Sequence, residues 1–219
     1  LIQLNTTFKA YSVFLVSIFL MGLGISLVTL AHLGTTAITS TPYVLSLFTT
    51  LSFGMYTMLF NTMYVLIQIL LLKGDFPKIQ YLQLLVGPVL GYSIDFRSPY
   101  ISLIEKPNYF FQLTMVLVGC VIIAFSIVIQ LKANVVNNPA EGVVKAIAFK
   151  VNKNFGTIKI CFDVSLVLIA VIISVVALGS ISGIREGTVI SAVFIGLLVK
   201  RMQNLSNRNI RRRASAHYQ

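Results

Sequence analysis

No Asp, Glu, Lys or Arg occurs between Ala10 and Leu72, an unbroken run of 63 residues. A chain in water cannot keep so long a segment folded without charge on its surface. Soluble domains carry about 25% charged residues; this chain of 219 carries 11%, with 57% hydrophobic and a mean hydropathy of +0.89. A bilayer-crossing helix takes roughly 20 apolar residues, so the run holds two crossings with material left over. The sequence predicts an all-α polytopic membrane protein forming a single membrane domain over 1–219. Six crossings are expected, at about 11–31, 55–72, 79–96, 110–131, 158–178 and 187–199. The last is short, since 13 residues rise only about 20 Å.

Basic residues are retained on the cytoplasmic side of a membrane. With the N-terminus inside, the inner segments hold 14 of the 17 Lys and Arg: Lys9, Lys73, Lys78, Lys132, Lys145, Lys150, Lys153, Lys159 and six more from Lys200 to Arg213. The outer loops keep Arg97, Lys106 and Arg185. Both termini are therefore expected in the cytoplasm, and the net charge of +11 reads as a topology signal. The basic tail over 202–219 suits anionic lipid heads, and no nucleic-acid partner is expected.

The apolar segments repeat. Phe53-Gly54, Phe60 and Asn61 are answered 102 positions later by Phe155-Gly156, Phe162 and Asp163. Val65-Leu66-Ile67 matches Val167-Leu168-Ile169. Gly22 and Pro42 correspond to Gly119 and Pro139, and Gly87 and Gly91 to Ala192 and Gly196. The offset grows from 97 to 102 to 105 along the chain, as small insertions would produce. The reading is two repeats, about 11–96 and about 110–201, each with three crossings. An odd number makes the second copy enter from the opposite face, an arrangement in which transporters place their site between the halves. Gly87 with Gly91 and Ala192 with Gly196 form small-x-x-x-small stripes, assigned to close helix packing; they also suit a homodimer interface.

Between the first two crossings of each half lies an interrupted segment. Gly34 to Thr41 precede Pro42, and Ala133 to Asn138 precede Pro139. Proline fits the first turn of a helix, with Thr41 and Asn138 as N-caps and Glu141 at capping-box spacing from Asn138. Each half thus gains a short Pro-initiated helix. The first, over 42–51, is uncharged and suits either a re-entrant or an interfacial position. In the second, Val143, Val144, Ile147, Ala148 and Val151 share a face, with Lys145, Lys150 and Lys153 away from it, as at a cytoplasmic interface. Helix starts attract anions, so Pro42 and Pro139, with Thr39, Ser40, Thr41 and Asn138, are expected to line an anion-accepting cavity.

Asn61 and Asp163 are the paired polar residues within crossings. A charge at the bilayer centre costs roughly 2.5–3.5 kcal/mol on insertion scales, so Asp163 should face protein or water. It suits a coupling proton, a cation or a basic substrate group. Alternatively it pairs with Lys159, four residues earlier. Asp75, Asp95, Glu105, Glu141 and Glu186 lie at crossing ends or in loops, where solvation is expected. Cys120 and Cys161 fall in apolar segments with no disulfide framework, and His32 and His217 cannot form a metal cluster. There is no phosphate loop or serine-nucleophile elbow, so neither enzyme activity nor a cofactor is expected.

Gly22-x-Gly24, Leu33-Gly34, Pro42, Gly54, Asn61, Gly91 to Asp95, and Gly187-Thr188 with Gly196 resemble the YitT / YczE–YyaS group of small bacterial membrane proteins. The resemblance runs over most of residues 14–201. It implies a multi-pass protein of the bacterial plasma membrane, from an uncharacterised group linked to transport. Relatives often carry an acid shortly after the first-half proline; here Tyr43 and Val44 follow Pro42. The leading expectation is a small secondary transporter or exporter of a small, anionic molecule, with membrane lipids and that substrate as partners. One alternative is a membrane subunit like the S-components of energy-coupling-factor transporters, which often show an Ala-x-x-x-Ala motif in the first crossing; Leu15 to Leu30 contains no alanine. Another is a non-transporting accessory protein.

Overall fold

The computed structural model describes residues 7–96, 108–133 and 135–216, with side chains from Lys9 to Met202 within those ranges and at Asn204. Arg97, Glu105, Lys106, Asn134 and His217 lie outside the described residues, as do the side chains of Arg208 to Arg213. The described residues form helices α1 (Thr7–Leu30), α2 (Ser40–Ser46), α3 (Phe53–Leu72), α4 (Val86–Asp95), α5 (Tyr109–Ala133), α6 (Pro139–Lys150), α7 (Phe155–Leu178) and α8 (Glu186–Ala216), with two 3₁₀ segments, Lys73–Asp75 and Lys78–Leu85. No strand occurs among them. Four helices, α1, α3, α5 and α7, are long and apolar enough to cross a membrane.

The other two expected crossings differ from the sequence reading. The segment over 79–96 is a 3₁₀ turn followed by the ten residues of α4. Pro88 explains the break, because its ring collides with the carbonyl four residues earlier and its nitrogen cannot donate. An α-helix therefore cannot run back through Leu84. At the other end, α8 runs 31 residues without interruption. No Gly or Pro follows Gly196, so nothing stops the helix where the apolar stretch gives way to the basic tail.

α1 and α5 cross at the centre of the fold. Gly24 and Gly119 let their backbones meet: a Cβ on either would lie within about 3 Å of the other's carbonyl oxygen (3.1 and 2.9 Å). α4 packs on α1 and α8 on α5; α3 packs on α4 and α6, and α7 on α2 and α6. The core runs along α1 through Phe14, Ile18, Met21, Ile25 and Val28 to Val116 and Ile123 of α5. Leu70, Ile172 and Val176 stand exposed on the outer faces of α3 and α7, the places acyl chains would cover.

The two short helices diverge from expectation in different ways. α6 begins at Pro139 with Asn138 as its N-cap, the Asn138 side chain accepting from Ala140 N at 3.2 Å. Its apolar face, however, is buried inside the protein: Val143 packs beside Tyr64 and Leu166, and Val144 is fully buried. α2 starts at Ser40, not Pro42, and its N-cap is Thr39 without a side-chain cap bond. Thr41 is therefore not a cap; its hydroxyl donates to the Leu166 carbonyl of α7 at 3.0 Å.

A buried amide cluster ties α3 to α6 and the 3₁₀ segment. Gln68 Nε2 donates to Gln83 Oε1 at 2.8 Å and to the Pro139 carbonyl at 3.1 Å, while Gln83 Nε2 donates to Gln68 Oε1 at 3.1 Å and Gln80 Oε1 at 2.8 Å. Removing one partner orphans the others, at about 1–3 kcal/mol for each buried group. Gln68→Leu should therefore lower the unfolding midpoint in detergent by several degrees. The double variant Gln68→Leu/Gln83→Leu should recover part of that loss; an equal or greater loss would show that the cluster is not coupled.

Candidate functional site

One cavity of about 460 Å³ lies between the halves of the chain. Helix α3 supplies Thr57, Phe60, Asn61 and Tyr64, and α7 supplies Phe155, Lys159, Ile160 and Asp163. The Thr36–Thr39 loop and Pro42 cover one side. Asn138 and Glu141 of the α6 start, together with Ser191, Ala192, Ile195 and Gly196 of α8, complete the wall. Most of the remaining lining is aliphatic, from Met21, Ile25, Leu90, Ile123 and Ile127. The volume is in the range of small-molecule sites, which join an apolar wall to a few placed polar groups.

Asn61 and Asp163 thus share one space. Each belongs to a pair one helical turn long. Asn61 Nδ2 donates to the Thr57 carbonyl at 2.8 Å. Lys159 Nζ, four residues before Asp163, lies 2.5 and 2.7 Å from its two carboxylate oxygens. Of the two readings open for Asp163, the ion pair with Lys159 is the one observed, and that pair itself lines the cavity. Both side chains are about one-quarter exposed (25% and 27%). Such pairs contribute roughly 0–1 kcal/mol, so Asp163→Ala should shift the unfolding free energy by about 1 kcal/mol or less. A loss above about 3 kcal/mol would mean instead that the pair is sealed from water.

Glu141 was expected to be solvated. It stands two residues after Pro139, where Val44 stands after Pro42, and it faces inward. Burial pushes its carboxyl above the usual carboxylate range, against the opposing pull of Lys159 and Lys145, with Asp163 adding to the rise. Its position with Val144 and Ala148, at spacing i, i+3 and i+7, was the available signal, because that spacing puts the acid on the buried face. Glu141 also lines a second cavity of about 180 Å³ with Gln80, Gln130, Asn137, Asn138 and Lys145. It therefore stands between an apolar chamber and a polar one.

Of the other expected residues, Thr39, Pro42 and Asn138 line the main cavity, whereas Thr41 and Pro139 do not. Several of the N–H groups at the two helix starts are already engaged within the chain. Thr39 N and Ser40 N donate to the Thr36 and Ala37 carbonyls, and Tyr43 N donates to the Thr39 carbonyl. At α6, Ala140 N and Gly142 N are taken by Asn138, and Glu141 adds a carboxyl at the same place. The loop over 33–39 instead anchors α8: Gly187 N donates to the Leu33 carbonyl at 2.8 Å, and Thr35 N to Thr188 Oγ1 at 3.2 Å. Gly34 takes φ +107° there, a conformation open to glycine.

The two small-residue stripes behave differently. A Cβ on Gly91 would press on the Gly54 carbonyl at 2.6 Å, and one on Gly87 would lie 3.2 Å from the Met58 carbonyl. These glycines join α4 to α3. Asp95, one turn beyond Gly91, completes the contact: its carboxylate accepts from Gly54 N at 2.8 Å and from the Ser52 hydroxyl. It too was expected to be solvated. Ala192 and Gly196 are not packing residues in this structure. Both are exposed on the cavity wall, and a Cβ on Gly196 would meet no atom within 4 Å. Around Gly156, which corresponds to Gly54, a Cβ would meet only Asn154, its own helix cap. No packing comparable to α3–α4 joins α7 to α8. Ile160 on that side is 67% exposed and Phe155 41%, so the cavity opens between α7 and α8.

Among the described residues no cluster of His, Cys, Asp or Glu could hold a metal ion. Cys120 is buried and Cys161 exposed, and both are free. The profile of a family of unknown function, DUF6198, matches residues 8–204. The chain belongs to that family. No curated protein and no solved structure matches it.

Proposed function

We propose that this member of DUF6198 is a small secondary transporter built from two inverted halves, with the cavity between α3, α7 and α8 as its translocation site. The observation that carries the reading is a single chamber that joins Asn61 to Asp163, closed where α3 meets α4 and open where α7 faces α8. The helix contacts support the inverted repeat. Exchanging α1 with α5, α2 with α6, α3 with α7 and α4 with α8 turns α1–α4 packing into α5–α8, α3–α6 into α7–α2, and α2–α3 into α6–α7. Among the α-helix pairs of the described residues, α3–α4 is the one without a comparably packed counterpart. On this reading the segments at 78–95 and 186–199 are the third and sixth crossings, and the resemblance to the YitT / YczE–YyaS group points to a bacterial plasma membrane.

The lysine distribution favours both termini in the cytoplasm. In that orientation the Gly54–Gly91–Asp95 contact seals the outer face and the α7–α8 gap opens the cytoplasmic one. Transport then consists of exchanging the two: α7 closes on α8 through Gly156 and Gly196 while α3 parts from α4. Two such states need differ by only a few kcal/mol for substrate to bias them. The test is flux in proteoliposomes holding the purified chain, under an imposed pH gradient, against a panel of small anions, cations and amphiphiles. Movement that requires the protein supports the reading. Binding without movement would favour a subunit of a larger machine, and neither would favour an accessory role.

A further inference from the structure

The geometry points to a protonated lipophilic amine as the cavity's ligand, its ammonium group held by Glu141 in exchange for a proton that leaves through the smaller polar chamber. This deepens the transport reading but concerns binding, which stands or falls without movement across the membrane. Three observations carry it. First, the ionic inventory of the cavity is one lysine and two carboxyls, and Lys159 is spent on Asp163 at 2.5 and 2.7 Å. Glu141 has no ion pair among the described residues. A half-buried carboxyl on a cavity wall without an ion pair favours a proton or a bound cation beside it.

Second, Tyr64 is 2% exposed, lines the cavity, and holds a hydroxyl without a hydrogen-bond partner. A buried orphan of this kind costs about 1–3 kcal/mol, which a donor on a ligand would relieve. Asn61 adds an acceptor, since its amide nitrogen is engaged by Thr57 and no described residue donates to its side-chain oxygen. An ammonium supplies N–H donors for both, whereas a carboxylate ligand would bring further acceptors toward Glu141 and Asp163. Third, the Phe60 and Tyr64 rings meet edge to face at 6.2 Å on the cavity wall. Aromatic faces attract cations, and the aliphatic remainder accepts an apolar body.

The proton balance is simple. Burial favours the protonated form of Glu141 in the empty cavity; from that form, ammonium binding ionises the carboxyl and the proton passes to water, so the net charge of the site changes by one less than that of the ligand. The charged and titratable groups facing Glu141 are Lys145 on its own helix, Lys159 and Asp163 on α7, and Tyr64 on α3. Of these, the two lysines oppose protonation and Asp163 favours it.

The probe is 4-phenylbutylammonium, with neutral 4-phenylbutanol and anionic 4-phenylbutyrate as matched controls. Binding to the full chain in nanodiscs is followed by calorimetry in buffers of differing ionisation heat, which reports protons released. The ammonium is expected to bind at least tenfold tighter than either control, with proton release approaching one per ligand below the pKa of Glu141. Release should fade, and affinity rise, as pH increases past it. Glu141→Gln should remove the release and cost roughly tenfold in affinity; Glu141→Asp should retain the release. Tighter binding of the butyrate, or ammonium binding with unchanged proton release in Glu141→Gln, would overturn the assignment. Should the ammonium bind as described and yet not be moved in proteoliposomes, the ligand class would stand and the transport reading would fall.

Discussion

Replacing Gly196 with leucine is expected to leave the protein folded and, under the proposed transport cycle, to lower flux roughly five- to 150-fold. In the present state a side chain at 196 meets open space, and leucine is a better helix former than glycine by roughly 0.5–1 kcal/mol. Thermal stability should therefore hold or rise slightly. The cost appears only when α7 closes on α8. The counterpart contact in the first half brings Gly54 and Gly91 so close that a Cβ on Gly91 would lie 2.6 Å from a carbonyl oxygen. Forcing a larger group into such a contact costs about 1–3 kcal/mol or more, a roughly five- to 150-fold loss of the closed state. Flux should fall accordingly, while ligand binding to the open state persists. Normal flux in Gly196→Leu would mean that α7 and α8 never meet, and the symmetric cycle would be lost with it.

The second large effect is expected at Asp95. Its carboxylate holds the start of α3 through the Gly54 amide at 2.8 Å and the Ser52 hydroxyl. Hydrogen bonds to a charged group contribute about 1.5–3 kcal/mol each. Asp95→Ala should therefore weaken the α3–α4 seal by about 3 kcal/mol, a change of about a hundredfold in the gate equilibrium. Helix α3 itself should survive, because Ser52 still caps Met55 N at 3.1 Å. Asp95→Asn, which keeps an acceptor of the same shape, should show a smaller shift. The second half has no equivalent lock: the residue 105 positions after Asp95 is Lys200, whose cation cannot accept from a helix N-terminus. That difference gives a physical reason for the first half to be the closed one. An outer seal unaffected by Asp95→Ala would leave the glycine contact alone responsible for closure.

Much of the frame is legible in the sequence because lipid imposes a one-dimensional rule. Length and apolarity suffice to find α1, α3, α5 and α7, and Asn138-Pro139 suffices to start α6. Where a single residue acts against a neighbour in the chain, the reading fails only in detail; Pro88 breaks a helix that hydropathy alone would run through. Asp95 and Glu141 are a different matter. Each lies at a helix end, where an acid is usually wetted, and only the partner helix shows otherwise. Asp95 extends the Gly87–Gly91 stripe by one turn, and Glu141 shares a face with Val144 and Ala148. The pattern was present, but its meaning depended on what those faces pack against. Gly196 makes the converse point. It repeats the motif of Gly91, and a motif cannot say whether its contact is made or waiting.

The proposed gated chamber requires a cavity that one side of the membrane can reach and the other cannot, until the first-half seal is broken. Ile195 lines that cavity from α8. A single cysteine at Ile195, in a background with Cys120→Ala and Cys161→Ser, can be titrated with a membrane-impermeant maleimide in right-side-out and inside-out vesicles. Labelling is predicted from the cytoplasmic face alone, and from both faces once Asp95→Ala is added. Equal labelling from both faces in the parent, or an Asp95→Ala pattern identical to the parent, would contradict a gated chamber between the halves.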